Sequence, residues 1–156
     1  MRLAKPTLLD ALFVCNNLRE ADRREIMATR WTDDIDALAV DVHQAWCGPL
    51  SWSVLHEGRV VAICGAKEHW PGSWSVWLIA TEEFPKVALG LTKVVKRRIM
   101  PHLMELGARR VEARSIDGHD QAHRWLGALG GVQEARLRRY GRNGEDFLVF
   151  RWTPDV

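Results

Sequence analysis

A run of three strand-like segments in the middle of the chain constrains the fold most. Ser51–His56 and residues 59–66 are rich in β-forming residues, and Glu57-Gly58 between them is a two-residue turn signal. After the break at Pro71-Gly72, residues Ser73–Ala80 alternate between two faces. These segments predict an antiparallel meander, so the core must form around a sheet.

Helical spacing of apolar residues dominates the segments on either side of this meander. In the first helix, which Pro6-Thr7 opens, the predicted inner residues are Leu8, Leu9, Leu12 and Phe13. Pro101 lies inside the longest helical run and should kink or split it. The remaining predicted elements are a strand at residues 1–5, helices at 7–13, 18–28, 32–45 (capped by Thr32 or Asp33), 87–106 and 117–129, a strand at 109–114, and a hairpin of 134–140 with 147–152.

This order predicts a mixed α/β fold with parallel pairing at the centre of the sheet, because a strand–helix–strand–helix unit follows the meander. With 156 residues the chain has room for one hydrophobic core, so a single domain over residues 1–156 is predicted.

Composition argues against several classes of protein. The net charge is +2, from 22 basic and 20 acidic residues, and we do not expect nucleic-acid binding without a concentrated basic face. The three cysteines lack CxxC spacing, so we expect buried thiols and no disulfide framework. His119 and His123 are spaced i, i+4, but without a third ligand we expect no metal. No apolar run approaches the roughly 18 residues of a membrane span, and no apolar leader follows Met1, so we expect a soluble protein and no membrane partner.

The element order resembles that of the GNAT N-acetyltransferases, and two late phrases do so too. Residues 106–111 (LGARRV) resemble the join between the family's cofactor-binding helix and the next strand, and residues 124–131 (RWLGALGG) resemble its helix ending in Leu-Gly-Phe. Residues 18–26 (LREADRREI), 77–81 (WLIAT) and 123–126 (HRWL) are similar to GNAT-like proteins of tailed phages, a group that includes a small internal virion protein. The resemblance implies a mixed sheet of about six to seven strands flanked by helices.

The resemblance also implies acetyl-CoA as the cosubstrate. In the family the pantetheine arm enters between two parallel strands, and N–H groups at a helix N-terminus hold the pyrophosphate. The family's Arg/Gln-x-x-Gly-x-Gly/Ala pattern falls on residues 87–92, where Gly90 matches well and Val87 and Thr92 depart from it. An ordinary helix N-terminus would also fit. The cofactor-binding residues implied are Ile79, Ala80, Thr81, Val87, Leu89, Gly90, Leu91, Thr92 and His119.

Catalysis in this family needs a base for the amine and an acid for the departing thiolate. Glu68 is the first candidate for the base and His69 the second, since both are expected just after the second strand of the meander. Many GNATs use a tyrosine acid at the position of Leu126, so Tyr140, the only tyrosine, is the remaining candidate, with a structural role open. The acidic residues of LREADRREI imply a helix on the acceptor side, although a solvated charged face explains them equally well.

Two functions follow from the resemblance. The first is a phage-encoded N-acetyltransferase that moves the acetyl group of acetyl-CoA to an amine of a protein or small molecule. The second is a weak or inactive GNAT-fold phage protein that acts as a virion component or binds a host protein. Both place the chain in the host cytoplasm or the virion, with a host or phage protein as acceptor or partner. An unrelated α+β domain is a third reading.

Overall fold

The computed structural model describes residues 1–153, which form a seven-stranded mixed sheet flanked by helices. The strand order is β1-β2-β3-β4-β5-β7-β6, so the strands keep their chain order except for the last two. This architecture confirms the predicted fold class. The strands are β1 (Arg2–Ala4), β2 (Ser51–His56), β3 (Arg59–Trp70), β4 (Ser73–Ala80), β5 (Arg110–Ile116), β6 (Val132–Leu137) and β7 (Phe147–Trp152).

Six α-helices and two π-helical turns are present in the described residues. The α-helices are α1 (Leu8–Asn16), α2 (Glu20–Met27), α3 (Ile35–Asp41), α4 (Pro85–Val94), α5 (Met100–Glu105) and α6 (Asp120–Ala128). The π-helical turns are Val42–Trp46 after α3 and Val95–Ile99 between α4 and α5. The second turn is followed by Met100 and then by Pro101, which cannot donate a helical hydrogen bond. The predicted interruption of the long helical run near Pro101, a kink or a split, is confirmed as a π-helical turn between α4 and α5.

The chain divides into two compact units, and the prediction of one domain over residues 1–156 stays a prediction. Unit 1 comprises Met1–Asp22, Asp34–Lys67 and Val76–Val94. Here β1, β2 and β3 pair in antiparallel fashion, with Leu3 opposite Val54. The predicted turn between β2 and β3 is confirmed, since Glu57 and Gly58 have φ angles of 48° and 83°.

Helix α1 in unit 1 turns a different face inwards from the one predicted. Its start is as expected: the Thr7 hydroxyl accepts from the Asp10 N–H, and the Asp10 carboxylate accepts from the Thr7 N–H, which makes a capping box. The buried residues, however, are Ala11, Val14 and Cys15. Leu9 is 77% exposed, and Leu8 and Phe13 are also exposed.

The third helix begins later than predicted. Its N-cap is Asp34, whose carboxylate accepts from the Ala37 N–H at 3.0 Å, so the prediction of Thr32 or Asp33 as the cap was wrong. Leu38, Ala39 and Val42 are fully buried, as their spacing indicated.

Unit 2 comprises Arg23–Asp33, Glu68–Ser75 and the described part of residues 95–156. In it β4 and β5 pair in parallel, with Trp74 opposite Val111. Strand β7 lies between β5 and β6 and is antiparallel to both. The core contains the fully buried Val111 and the buried strand β7 residues Phe147 and Phe150.

Candidate functional site

The turn that joins β4 to α4 in unit 1 is the first place to test the implied cofactor. Thr81 closes this turn from inside, since its N–H and hydroxyl donate to the Val61 carbonyl at 2.9 and 3.1 Å. The same hydroxyl oxygen accepts from the Glu83 N–H at 3.3 Å, and the Thr81 carbonyl accepts from the Phe84 N–H at 3.1 Å. The N–H groups of Thr81, Glu83 and Phe84 are therefore used within the protein.

The first turn of α4 also keeps its donors inside the chain. Its first residue, Pro85, has no N–H. The next three N–H groups donate at 3.0 Å to carbonyl oxygens of the preceding turn: Lys86 to Glu83, and Val87 and Ala88 to Phe84. Of the non-proline residues 81–88 in the described chain, Glu82 alone has an N–H without a protein acceptor. A pyrophosphate cradle needs several such groups.

Two carboxylates stand beside this turn, where a pyrophosphate would need positive charge. Glu82 is exposed, and Glu83 lies 3.5 Å from both Arg59 and Lys86. Carboxylates at a helix N-terminus already satisfy the helix dipole. Both nearby cations thus have an anionic partner, and the turn offers little attraction to a further anion.

The other residues assigned to the cradle lie further along α4. Leu89 to Thr92 occupy its second turn, where N–H groups normally bond within the helix, and the Thr92 hydroxyl donates to the Ala88 carbonyl at 2.7 Å. Gly90 has a packing explanation, because a Cβ there would lie 3.2 Å from the Met1 sulfur. Val87 and Leu91 are buried in the core, and Leu89 is exposed. The geometry does not favour these residues as phosphate ligands, and their assignment stays a prediction.

The last residues of β4, Ile79 and Ala80, are buried. Both backbone groups of Ala80 are hydrogen-bonded within the chain. The Ala80 N–H donates to Asp22 Oδ2 at 2.8 Å, and the Ala80 carbonyl accepts from the Arg19 N–H at 2.9 Å. The segment of residues 19–22, which includes the start of α2, therefore holds the strand edge at Ala80, which the resemblance assigns to the cofactor.

A buried ion pair fixes this segment. Arg19 and Asp22 are 7% and 3% exposed. Arg19 Nη2 donates to Asp22 Oδ1 at 2.7 Å and to Oδ2 at 2.9 Å, and its Nε donates to Oδ2 at 3.2 Å. The guanidinium carbon lies 4.8 Å from the centre of the Phe84 ring, a cation–π distance. A buried pair with this many hydrogen bonds costs much if one member is lost.

Glu25 plays a similar part in unit 2. Its Oε2 accepts from the Ser115 hydroxyl at 2.6 Å and from the Ile116 N–H at 2.8 Å, and lies 3.2 Å from His119 Nδ1. His119 is 4% exposed and occupies the N-cap position of α6, without a side-chain capping bond. The buried His119 is held by a carboxylate of its own chain, and its cofactor contact stays a prediction.

The two candidate bases are engaged at the end of the meander. Both lie in the last residues of β3 rather than after it, because β3 continues to Trp70. The Glu68 carboxylate accepts from the Gly72 N–H at 2.8 Å, which makes it a cap of the β3–β4 turn. His69 Nε2 lies 2.8 Å from the Ser75 hydroxyl.

The acid candidate is also bonded elsewhere. Tyr140 is 43% exposed, and its hydroxyl accepts from Arg114 Nη1 at 2.7 Å. Leu126 is buried on the inner side of α6. Within residues 1–153, no hydrogen bond or ion pair joins any two of Glu68, His69 and Tyr140. Their catalytic roles stay predictions.

Sequence reasoning missed the inward-facing set Arg19, Asp22 and Glu25. The signal that could have found it is the i, i+3, i+6 spacing of the three charges, which places them on one side of a helix. Glu20, in contrast, is exposed.

Metal and membrane sites receive no support from the described chain. Over residues 1–153, His, Cys, Asp and Glu side chains form no group of three that could hold a metal ion. Among the helices that the structure describes, none combines the length and the apolar character needed to cross a bilayer.

Comparison with solved structures identifies the fold. Ribosomal-protein-alanine N-acetyltransferase from Brucella melitensis matches with a TM-score of 0.74 and 13% identity, over 99% of this chain and 100% of that one. The acetyltransferase (GNAT family) from Bacillus anthracis gives 0.70 and 13%, over 97% and 93%. The chain has the GNAT fold. The Salmonella typhimurium protein yncA, solved with its cofactor acetyl-CoA, gives 0.69 and 12%, over 99% and 94%.

These likenesses concern shape, since identity is at most 20% among them. No protein-family model and no curated protein sequence matches the chain. The similar structures are acetyltransferases, whereas the residues at the β4–α4 turn of this chain do not fit the pyrophosphate of acetyl-CoA. Function must therefore be argued from the site.

Proposed function

We propose that this chain is a GNAT-fold protein that works by binding another protein, with acetyl-CoA-dependent catalysis lost or very weak. One observation carries the proposal: among the non-proline residues from Thr81 to Ala88, every backbone N–H except that of Glu82 donates within the described chain. A CoA pyrophosphate is held mainly by such donors. With one N–H left, and with the carboxylates of Glu82 and Glu83 in the turn, a pyrophosphate would gain few hydrogen bonds and little charge attraction there.

The catalytic candidates support the same conclusion. Glu68 holds the turn before β4, and Tyr140 is bonded to Arg114. Leu126, at the position of the family's tyrosine, cannot donate a proton. A positioned acid or base typically contributes about 10²–10⁴-fold to the rate, so the absence of both would leave a slow enzyme.

The resemblance of residues 18–26, 77–81 and 123–126 to phage GNAT-like proteins supports a phage origin. A host or phage protein is then the proposed partner, in the host cytoplasm or the virion. The fully exposed Trp31 is consistent with a surface that another protein covers, since aromatic side chains dominate binding energies at interfaces.

The second candidate function is N-acetyl transfer from acetyl-CoA to an amine of a protein or small molecule. The observation that favours it is the match of nearly the whole chain to acetyltransferase structures, one of them solved with acetyl-CoA. On this view the β4–α4 turn would have to rearrange before the cofactor binds.

Calorimetric titration with acetyl-CoA and with CoA separates the two functions. We expect no heat of binding and no rise in melting temperature at millimolar ligand. A ligand present at 100 times its Kd would stabilise the folded state by about 2.7 kcal/mol, which a thermal melt detects easily.

Saturable binding in the micromolar range would contradict the proposal. In that event Gly90→Glu, beside the exposed control Lys93→Glu, tests whether the cradle lies on α4. Loss of binding in Gly90→Glu alone would support the acetyltransferase.

A further inference from the structure

Helix α2 carries two carboxylates, each of which accepts from the last residue of a strand. In unit 1, Asp22 accepts from the N–H of Ala80, which ends β4. In unit 2, Glu25 accepts from the N–H of Ile116, which ends β5. Asp22 and Glu25 are three residues apart, so they lie on the same side of α2.

The carboxyl ends of parallel strands are where sheets of this kind usually bind ligands. A thioester or amide ligand would offer a carbonyl oxygen to a free N–H there. We propose that α2 supplies two internal ligands, each within its own unit: the Asp22 carboxylate takes the Ala80 N–H in unit 1 and the Glu25 carboxylate takes the Ile116 N–H in unit 2, each in place of the carbonyl oxygen of an external ligand. The inference deepens the proposed function, on which it rests for the absence of cofactor binding.

The contacts of each carboxylate explain why an external carbonyl would not displace it. Hydrogen bonds to a charged acceptor are about twice as strong as those between neutral groups. Asp22 also holds the buried Arg19, and Glu25 also accepts from the Ser115 hydroxyl. A neutral carbonyl that took the Ala80 or Ile116 N–H would weaken the hydrogen bonds that the displaced carboxylate makes with Arg19 or with the Ser115 hydroxyl.

Glu20 provides a matched control on the same helix. It is exposed at the start of α2, whereas Asp22 is buried and Glu25 partly so. If the acidic residues only favoured helix formation, replacing any of the three would have the same effect on the strand-end amides. The internal-ligand hypothesis predicts that Asp22 and Glu25 protect strand-end amides and that Glu20 does not.

Amide hydrogen exchange, followed residue by residue by NMR, tests this directly. Glu25→Met should speed exchange of the Ile116 amide by tenfold or more, while Glu20→Met changes it less than twofold. The paired variant Arg19→Met/Asp22→Leu should do the same to the Ala80 amide. It removes the acceptor together with the Arg19 guanidinium that the acceptor pairs with. If it fails to fold, Glu25→Met decides alone. Unchanged exchange at Ile116 in Glu25→Met would overturn the inference.

The same samples, titrated with acetyl-CoA, separate this inference from the proposed function. Wild-type binding with the Ala80 and Ile116 amides still protected would defeat the proposed function and leave α2 as the internal ligand. If the wild type binds acetyl-CoA and these amides then exchange faster, or donate to the ligand instead of the carboxylates, both the proposed function and the internal-ligand hypothesis are wrong.

Discussion

Replacement of Asp22 by alanine should destabilise the protein by about 3–5 kcal/mol, the usual cost of removing one partner from a buried ion pair. The carboxylate makes three hydrogen bonds with Arg19 and accepts one from the Ala80 N–H. Alanine would leave a guanidinium that is 7% exposed without this counter-ion. Small domains have a free energy of unfolding of about 5–15 kcal/mol, so a loss of this size would be a large fraction of the total stability.

Urea denaturation followed by tryptophan fluorescence measures this loss, since the chain has eight tryptophans. The paired variant Arg19→Met/Asp22→Leu should recover most of it, because apolar replacement of a whole buried pair is often neutral or stabilising. A loss below about 1 kcal/mol in Asp22→Ala would contradict a structural role for this ion pair, since even one unsatisfied buried group costs about that much. A paired variant as unstable as the single one would show that the unpaired charge is not the cause.

Three further predictions concern the surface and the thiols. Trp31→Ser should change the free energy of unfolding by no more than about 0.5 kcal/mol in the same denaturation assay, because Trp31 is fully exposed. The pKa of Glu134 is lowered mainly by its hydrogen bond from Arg110, so its stabilisation is present above the ordinary Glu pKa and lost as the pH falls below it; the melting temperatures of wild type and Glu134→Gln should therefore converge on acidification. Burial raises the pKa of Cys64 to about 12, so a disulfide reagent at pH 8 should leave it unmodified in the native protein, react slowly with the half-buried Cys47, and react with both after denaturation.

The strands were predictable because their signals are local. Ser73–Ala80 was predicted with the bounds that the structure has, since alternation and the Pro71-Gly72 break define both its face and its start. The face of α1 was predicted wrongly, because Leu9 and Phe13 have the same helical spacing as a core stripe. Their exposure depends on how close α1 lies to α3, which only the tertiary structure decides.

The candidate site was harder to predict, because its state depends on which backbone donors are already used. Gly90 looks like a phosphate-binding glycine in the sequence, but in the structure its lack of a side chain accommodates Met1. Glu68 looks like a base at a strand end, but it accepts from the Gly72 N–H. Residue type and spacing alone cannot tell a phosphate-binding glycine from a packing glycine, or a catalytic base from a residue that caps a turn.

The acidic phrase LREADRREI had two interpretations, acceptor recognition and a solvated helix face. The contacts of Asp22 and Glu25 favour a third interpretation. A buried strand-end N–H needs an acceptor, since an unpaired one costs about as much as a lost hydrogen bond. If the protein works without an external ligand at these strand ends, as proposed above, other acceptors must take these N–H groups. The carboxylates of α2 meet this requirement, Asp22 at Ala80 in unit 1 and Glu25 at Ile116 in unit 2.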